Sequence, residues 1–237
     1  AEILVYADDD IEAFPTWLQA IAESFQNQDV VLVGGKNLPK FEAEPPEWIK
    51  KMWKPDKNGH RIMCYLSVLD LGNEIKTINP YLVFGCNFSI RKATLLEAGG
   101  FHPDAMPQEF IKYRGDGETH VSQYILSSGY KTLYHPNASV YHLVPVSRMT
   151  EDYFCKRSYN QGLSDSYTQI RNRNIIQDSA FSRVFNYLRL LRKKYRLYAN
   201  ARQRHIESHY YQGFLMHQNS VTEDKNLYEW IIRANYL

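Results

Sequence analysis

The sequence predicts an α/β fold in which helices cover a sheet. The start of the chain reads as strand, helix, strand: an apolar β-branched run at residues 2–7, an amphipathic helix at 15–26 and a second apolar run at 29–34. The first strand, which we expect to be buried, delivers three consecutive carboxylates to its end at residues 8–10. Open α/β sheets bind their ligands at the carboxyl ends of strands, so this edge is where a site is expected.

The acidic triplet admits two interpretations. Adjacent carboxylates repel one another unless a cation lies among them. Hard oxygen ligands suit Mg²⁺ or Mn²⁺, and these ions commonly hold phosphate-bearing substrates. The same acids also suit the start of the helix at 15–26, which carries Pro15 in its first turn. The triplet alone therefore leaves a metal site and a helix N-terminal charge cluster both open.

Composition indicates one substantial core and a smaller helical appendage. The chain has 237 residues, of which 44% are hydrophobic and 14% aromatic. It contains neither an apolar run of membrane-spanning length nor a secretion signal at its start. The three cysteines, Cys64, Cys86 and Cys155, are widely spaced, which fits free thiols in a reducing compartment better than a disulfide framework or a zinc site. Cytoplasmic residence is the expectation.

The middle of the chain alternates irregular and apolar segments. Residues 39–59 are polar and proline-bearing, which predicts a loop with one short helix. Short apolar runs at 82–84 and 88–90 bracket residues 85–87, where a glycine indicates a close approach of the backbone. A short helix at 92–98 follows and ends at two glycines.

A glycine-flanked acidic segment opens the next helix. Residues 115–119 precede apolar residues at helical spacing, and this helix ends at Gly129. Acids at that position interact well with the helix dipole, and they can also present a general base to a substrate. Two short strands follow at 130–134 and 139–143, and His142 lies at the end of the second. A histidine on a strand is more often a structural group than a ligand.

The order of these motifs resembles family 2 glycosyltransferases of the GT-A fold, over about residues 1–165. The resemblance implies a GT-A-like (Rossmann-like) mixed sheet flanked by helices, here as a partial catalytic domain at 1–165. A basic, mainly helical C-terminal extension would occupy 166–237. In the family, the strands that hold the nucleotide precede the acidic triplet. The resemblance therefore also implies that these N-terminal strands are lacking, that the isolated chain binds a donor weakly or not at all, and that it is an inactive fragment unless a partner supplies that surface.

The resemblance implies metal-dependent transfer of a sugar from a nucleotide-sugar donor. Asp8 and Asp10 correspond to the acidic metal motif, with Asp9 as the alternative ligand, and His142 corresponds to a late histidine that supplies a further ligand. Mn²⁺ or Mg²⁺ is the implied cofactor. The implied donor-binding residues are Asp8, Asp9, Asn87, Arg91 and Arg148. By composition alone, Arg91 also fits a solvated charge at a strand end.

The acidic segment corresponds to the part of the family that bears the catalytic base. Glu118 occupies the usual position, and Asp116 is the second choice because this chain lacks the commoner Glu-Asp pair. A carboxylate there would take the proton of the acceptor hydroxyl in a single displacement with inversion. The expected enzyme is a hexosyl- or N-acetylhexosaminyl-transferase that acts on a saccharide or lipid-linked acceptor, in surface polysaccharide or glycolipid synthesis.

The basic C-terminal part of the chain is compatible with more than one partner. Residues 183–204 interleave basic and apolar side chains without an acidic one, which is typical of a basic amphipathic helix. Such a helix either lies on an anionic bilayer, at the inner face of the cell membrane, or packs on the catalytic domain. The oligomeric state is not readable from this pattern.

Three other classes compete with sugar transfer. A metal-dependent phosphotransferase or phosphatase also carries aspartates after a strand, but its motif closes with Thr or Val, whereas Ile11 and Glu12 follow here. A nucleic-acid-binding protein could use the basic segment, but the front of the chain is acidic, so nucleic acid is not an expected partner. A non-catalytic binding fragment is the third alternative.

Overall fold

The computed structural model describes residues 1–173, 200–234 and 236. They form two compact units. Unit 1 comprises residues 1–101 and 118–149, and unit 2 comprises residues 102–117 and 150–236. Unit 1 contains the sheets and unit 2 is helical. The units are defined by compactness, whereas the boundary predicted at 165/166 follows the family resemblance and stays a prediction.

The first sheet of unit 1 is mixed. Its strands in spatial order are β1 (Ile3–Ala7), β8 (Asn87–Arg91), β3 (Val30–Gly34), β9 (Lys131–Tyr134) and β7 (Lys76–Thr77). The β3/β9 pair is parallel, and the other pairs are antiparallel. Strand β3 is buried along its whole length because it lies at the centre of the sheet and is apolar on both faces.

The second sheet of unit 1 is also mixed. Its strands in spatial order are β2 (Ile11–Ala13), β10 (Val140–Val144), β4 (Asn37–Phe41), β6 (Val68–Asp70) and β5 (Arg61–Met63). Strands β10 and β4 run parallel, and β2 is antiparallel to β10. The acidic triplet connects β1 of the first sheet to β2 of the second, so the chain crosses from one sheet to the other at residues 8–10.

Short helices cover the sheets of unit 1. They are α1 (Trp17–Ser24), α2 (Glu47–Met52), α3 (Lys92–Glu97) and α4 (Thr119–Ser127). Helix α1 packs Ala20 and Ile21 against β3, while Leu95 of α3 and Ile125 of α4 belong to an apolar cluster around Phe88. Helix α3 ends, as predicted, at two glycines with positive φ, a backbone region that glycine adopts without steric cost.

Two local expectations were wrong. Strand β1 is not buried: it has one neighbouring strand, and the side chains of Val5 and Tyr6 are more than a third exposed. The proline-bearing segment is not only loop and helix, because Pro39 lies within β4. Proline fits there because β4 pairs with β6 through Asn37 alone, which leaves no ladder partner for a donor at Pro39 on that side.

The described residues of unit 2 include the helices α5 (Glu151–Arg173), α6 (Ala201–Glu223) and α7 (Lys225–Ile231) and a 3₁₀ turn at Gln108–Tyr113. Its buried core contains Tyr167, Ile170, Val221, Leu227 and Ile231. Asp224 caps α7 by accepting the backbone N–H groups of Asn226 and Leu227.

Mixed sheets flanked by helices, with a helical C-terminal part, confirm the predicted α/β fold class and are consistent with a glycosyltransferase-like fold. Most of the basic segment 183–204 lies outside the described residues. Among the helices that the structure describes, none combines the length and apolar character needed to cross a bilayer.

Candidate metal and substrate site

The pairing of β1 with β8 brings the first acid to a buried thiol. Ala7 pairs with Asn87, so the next residues outward, Asp8 and Cys86, leave the sheet at the same edge. A carboxylate oxygen of Asp8, the Sγ atom of Cys86 and a ring nitrogen of His142 all lie within 4.8 Å of one another. The backbone register alone therefore gathers side chains that are far apart in the sequence.

The pairing of β2 with β10 brings the third acid to the histidine. Ile11 pairs with His142, and the backbone N–H of Leu143 donates to the carbonyl oxygen of Asp10 at 2.9 Å. As a result, Oδ1 of Asp10 lies 3.2 Å from Nε2 of His142. Two of the residues predicted as metal ligands from opposite ends of unit 1 are thus direct neighbours.

The hydrogen bond made by Nδ1 of His142 indicates the tautomer of its ring. Nδ1 lies 2.8 Å from the carbonyl oxygen of Leu66, which can only accept, so Nδ1 carries the proton and neutral His142 presents a lone pair at Nε2. Oδ1 of Asp10 lies 3.2 Å from this nitrogen and is a buried oxygen to which none of the described residues donates a hydrogen bond. Two electron-rich atoms at this separation call for a proton or a cation between them.

Arg148 is the positive group at this edge. Its Nη2 lies 2.7 Å from Oδ2 of Asp10, and its Nη1 lies 3.5 Å from Nε2 of His142. The guanidinium therefore satisfies one carboxylate oxygen and leaves the other directed at the histidine. Carboxylate oxygens with one imidazole nitrogen form a donor set that suits Mn²⁺ or Mg²⁺, so Asp8, Asp10 and His142 fit the implied ion.

The electrostatics of the edge are those of an acidic cluster. Partial burial, and next the charge of Asp10, raise the pKa of the Asp8 carboxyl. Burial raises the pKa of the Cys86 thiol, and the charges of Asp8 and Glu118 raise it further, so Cys86 stays protonated. A neutral thiol is a poor ligand for a hard cation, which leaves the carboxylates and the imidazole as donors.

The two candidate bases have different surroundings. Glu118, half-buried at the start of α4 in unit 1, accepts the backbone N–H of Gly85 at 3.2 Å. Asp116, buried in unit 2, uses both carboxylate oxygens: one lies 2.6 Å from Nδ1 of His102, and the other accepts the hydroxyl of Thr168 at 2.5 Å. Both oxygens of Asp116 are thus engaged within unit 2, and a role of Glu118 or Asp116 as the base stays a prediction.

Asn87 is buried, and its side-chain amide is hydrogen-bonded to other residues of the chain. Its oxygen accepts the indole N–H of Trp17 at 2.9 Å, and its nitrogen donates to the side chain of Asn37 at 3.1 Å and the carbonyl of Ala138 at 2.9 Å. These bonds tie α1 and both sheets together behind the acidic edge. A contact of Asn87 with the donor sugar stays a prediction that these hydrogen bonds do not favour.

Arg91 lies at the opposite end of β8 from the acidic edge. Its guanidinium donates to the carbonyl oxygens of Val30, Phe25 and Asn27, and it lies over the ring of Phe25. The structure therefore does not bring Arg91 together with Asp8 and Asp10. Its contacts are those of a side chain that holds the connection between α1 and β3, and donor binding by Arg91 stays a prediction.

The turn behind the site was not recognised from the sequence. The backbone carbonyl of Leu66 accepts a hydrogen bond from Nδ1 of His142. The backbone carbonyl of Ser67 lies 3.8 Å from the thiol of Cys86 and accepts from it. Ser67 has a φ of 51°, a left-handed backbone that non-glycine residues adopt at some cost. Backbone carbonyls carry no side-chain pattern, so no sequence signal marks this turn. Cys86 did carry a signal, since it lies between Gly85 and Asn87 in the segment expected to approach a neighbour closely.

Comparison with known proteins gives a distant relationship. No family model matches the chain. It is similar to the glucosyl-dolichyl phosphate glucuronosyltransferase of Haloferax volcanii, with 24% identity over 172 residues. The match covers 69% of this chain and 50% of that protein, so the chain spans about half the length of the curated relative it matches. The similarity supports a relationship to glycosyltransferases.

Proposed function

We propose that this chain carries catalytic residues of an inverting, metal-dependent glycosyltransferase of family 2. The enzyme would move a hexosyl or N-acetylhexosaminyl group from a nucleotide-sugar donor to a hydroxyl acceptor. The observation that supports this most strongly is the meeting of Asp10 and His142, 3.2 Å apart, next to Asp8 at one edge of unit 1. The distant similarity to a sugar-transferring enzyme points the same way.

Asp8, Asp10 and His142 would hold Mn²⁺ or Mg²⁺, and the exposed Asp9 is the alternative ligand on the donor side. When bound, such an ion supplies Lewis-acid stabilisation of the charge that develops on the departing diphosphate. The Arg148 guanidinium, already paired with Asp10, would add a second positive group for phosphate oxygens.

Glu118 would act as the general base. As the acceptor oxygen forms its bond to the anomeric carbon, the bond from that carbon to the phosphate oxygen breaks, and the nucleoside diphosphate leaves with its electron pair. The acceptor's hydroxyl proton passes to the Glu118 carboxylate. One displacement inverts the anomeric centre and leaves no covalent glycosyl-enzyme. The half-exposed position of Glu118 beside Gly85 is compatible with access of an acceptor.

A lipid-linked saccharide is the acceptor class that we favour. The name of the similar archaeal enzyme includes a glucose carried on dolichyl phosphate, and an acceptor of that kind would be held at a membrane surface. Contact of residues 183–204 with the inner face of the cell membrane belongs to the same proposal and falls mainly outside the described residues. Surface polysaccharide or glycolipid synthesis is the corresponding process.

The test is a sugar-transfer assay of the natural protein that contains these residues. UDP-, GDP- and dTDP-sugars are offered with Mn²⁺ and a polyprenyl-phosphate-linked glucose, and release of nucleoside diphosphate and the anomeric configuration of the product are measured. We expect acceptor-dependent release, an inverted product, loss of activity with a chelator and loss in Asp8→Asn. Asp29→Asn, which changes an exposed acid in the α1–β3 connection, is the matched control. Retention of configuration, or full activity of Asp8→Asn, would refute the proposal.

A further inference from the structure

Unit 2 contains a second cluster of metal-ligating side chains. Sγ of Cys155 on α5 and one ring nitrogen each from His205 and His209 on α6 lie within 4.8 Å of one another. The two histidines are four residues apart, so they project from the same face of α6. Cys155 is buried, His209 is half-buried and His205 is exposed. The cluster therefore opens to solvent on one side, which gives an ion a route of entry.

Neighbouring groups orient these ligands. Nδ1 of His209 lies 3.0 Å from the carbonyl oxygen of His205, which can only accept, so Nδ1 carries the proton and Nε2 presents its lone pair. This use of a backbone carbonyl to fix the tautomer is typical of metal-bound histidines. The imidazole rings of His205 and His209 lie edge to face, with centroids 4.9 Å apart.

A carboxylate next to His205 offers a fourth donor. Glu151 lies one helical turn before Cys155 on α5, and its Oε1 is 3.9 Å from Nε2 of His205. Its other oxygen accepts Nε–H of Arg202 at 2.9 Å, which holds the carboxylate in place. One thiol, two imidazoles and one carboxylate provide four donors, the number that a tetrahedral zinc ion requires.

We propose that Glu151, Cys155, His205 and His209 form a binding site for Zn²⁺ or a similar borderline-soft divalent ion. The ion would join α5 to α6 and so stabilise unit 2. The donor set separates this site from the acidic edge of unit 1, where oxygen ligands suit harder ions. Cys155 and His205 are 50 positions apart, so the cluster lacks the short ligand spacings of zinc motifs.

Cobalt(II) substitution tests the proposal. Co²⁺ is titrated into the chelator-treated chain, and absorption from thiolate-to-cobalt charge transfer and from a tetrahedral ligand field is recorded. We expect both in the unaltered chain, competition by Zn²⁺, and loss of both in Cys155→Ser and in the double variant His205→Gln/His209→Gln. The matched control is Cys86→Ser, which removes the sulfur at the acidic edge of unit 1 and must leave the absorption intact.

The proposal is overturned if the unaltered chain gives no charge-transfer absorption, if Cys155→Ser retains it, or if Cys86→Ser abolishes it. Circular dichroism checks that each variant is folded. Should the buried Cys155→Ser substitution prevent folding, the double histidine variant decides the question, because its side chains are exposed or half-buried and their replacement leaves the helix core intact. In that variant, persistence of the absorption contradicts the site.

Discussion

His142 illustrates how a residue acquires a role from surroundings that the sequence does not display. The motif order placed it among the candidate ligands, next to Asp8 and Asp10. Its tautomer, however, depends on the carbonyl of Leu66, and its position beside Asp10 depends on the register of two short strands. The sequence could therefore name candidate ligands, which stay predictions, but it could not name the groups that orient them, because any residue type supplies a carbonyl.

A single substitution at Glu118 tests which of the two candidate residues acts as the general base. Glu118→Ala should lower the rate of sugar transfer by about 100-fold or more, because a general base contributes on that order. Metal binding should be unchanged, since Glu118 is not among the proposed ligands. Turnover is measured with saturating donor, and Mn²⁺ binding is measured separately by calorimetry.

Asp116→Asn is the informative comparison for that prediction. Because Asp116 is bonded to His102 and Thr168, its substitution should lower the stability of the fold more than it alters the chemistry. Unchanged turnover in Glu118→Ala, together with loss of turnover in a folded Asp116→Asn, would exchange the two assignments.

At the scale of elements, two long helices of unit 2 meet backbone to backbone. A Cβ atom at Gly162 of α5 would lie 2.0 Å from the carbonyl oxygen of Tyr210, and one at Gly213 of α6 would lie 2.1 Å from that of Tyr159. Real side-chain atoms do not approach so closely. Both glycines are therefore required by the packing of α5 against α6, although each lowers the intrinsic helix propensity of its own helix.

Gly213→Ala should destabilise the protein by about 1–3 kcal/mol, because overpacking forces the helices apart and outweighs the gain in helix propensity. Urea unfolding followed by circular dichroism measures the change. The neighbouring exposed residue supplies the control: Gln212→Ala should change the free energy of unfolding by less than about 0.5 kcal/mol. Equal stabilities of the two variants would contradict the close packing of the helices.

Elements were predictable to the degree that local pattern governs them. Strand β3 and helix α3 lie close to where the sequence predicted them, because one is continuously apolar and the other ends at paired glycines. Strand β1 was expected to be buried, but neighbours in the sheet decide burial, and it has only one. The prolines of residues 39–59 predicted a loop where β4 lies, but proline is excluded only from strand positions that must donate a backbone N–H to a neighbouring strand.

At the scale of the whole molecule, a buried histidine links stability to pH. Burial lowers the pKa of His217 on α6 to about 4, while the same group in the unfolded chain titrates near its ordinary value of about 6.5. As the pH falls below about 6.5, the unfolded chain binds a proton that the folded chain does not. Stability must therefore decrease with decreasing pH, until the folded state is protonated near the lower value.

We expect this residue alone to cost about 1 kcal/mol of unfolding free energy between about pH 7 and about pH 5.5. Urea titrations at the two pH values measure the loss. Other groups also titrate in this range, so the comparison is with His217→Asn, which should be less stable at neutral pH but should lose about 1 kcal/mol less on acidification. Identical losses in the two proteins would show that His217 is not buried in its neutral form.

The fold class was accessible from the sequence because strand and helix motifs recur in a recognisable order. The two-unit division was not, since residues 102–117 pack with α5 and its neighbours although they lie between segments of unit 1. The zinc-type cluster was missed for the same reason: its ligands come from two helices far apart along the chain. Features that depend on local propensity could be predicted from the sequence, whereas features that depend on contacts between distant segments of the chain could not.

We propose that the acidic edge of unit 1 holds a divalent cation. Isothermal titration calorimetry of Mn²⁺ into this chain tests it most directly, because it requires neither donor nor acceptor. Asp10→Asn is compared with Glu12→Gln, which neutralises an exposed acid two residues away that pairs with Lys40. We predict binding in the unaltered chain and in Glu12→Gln, and its loss in Asp10→Asn. Absence of Mn²⁺ binding in the unaltered chain, or undiminished binding in Asp10→Asn, would contradict the assignment of this edge as a metal site.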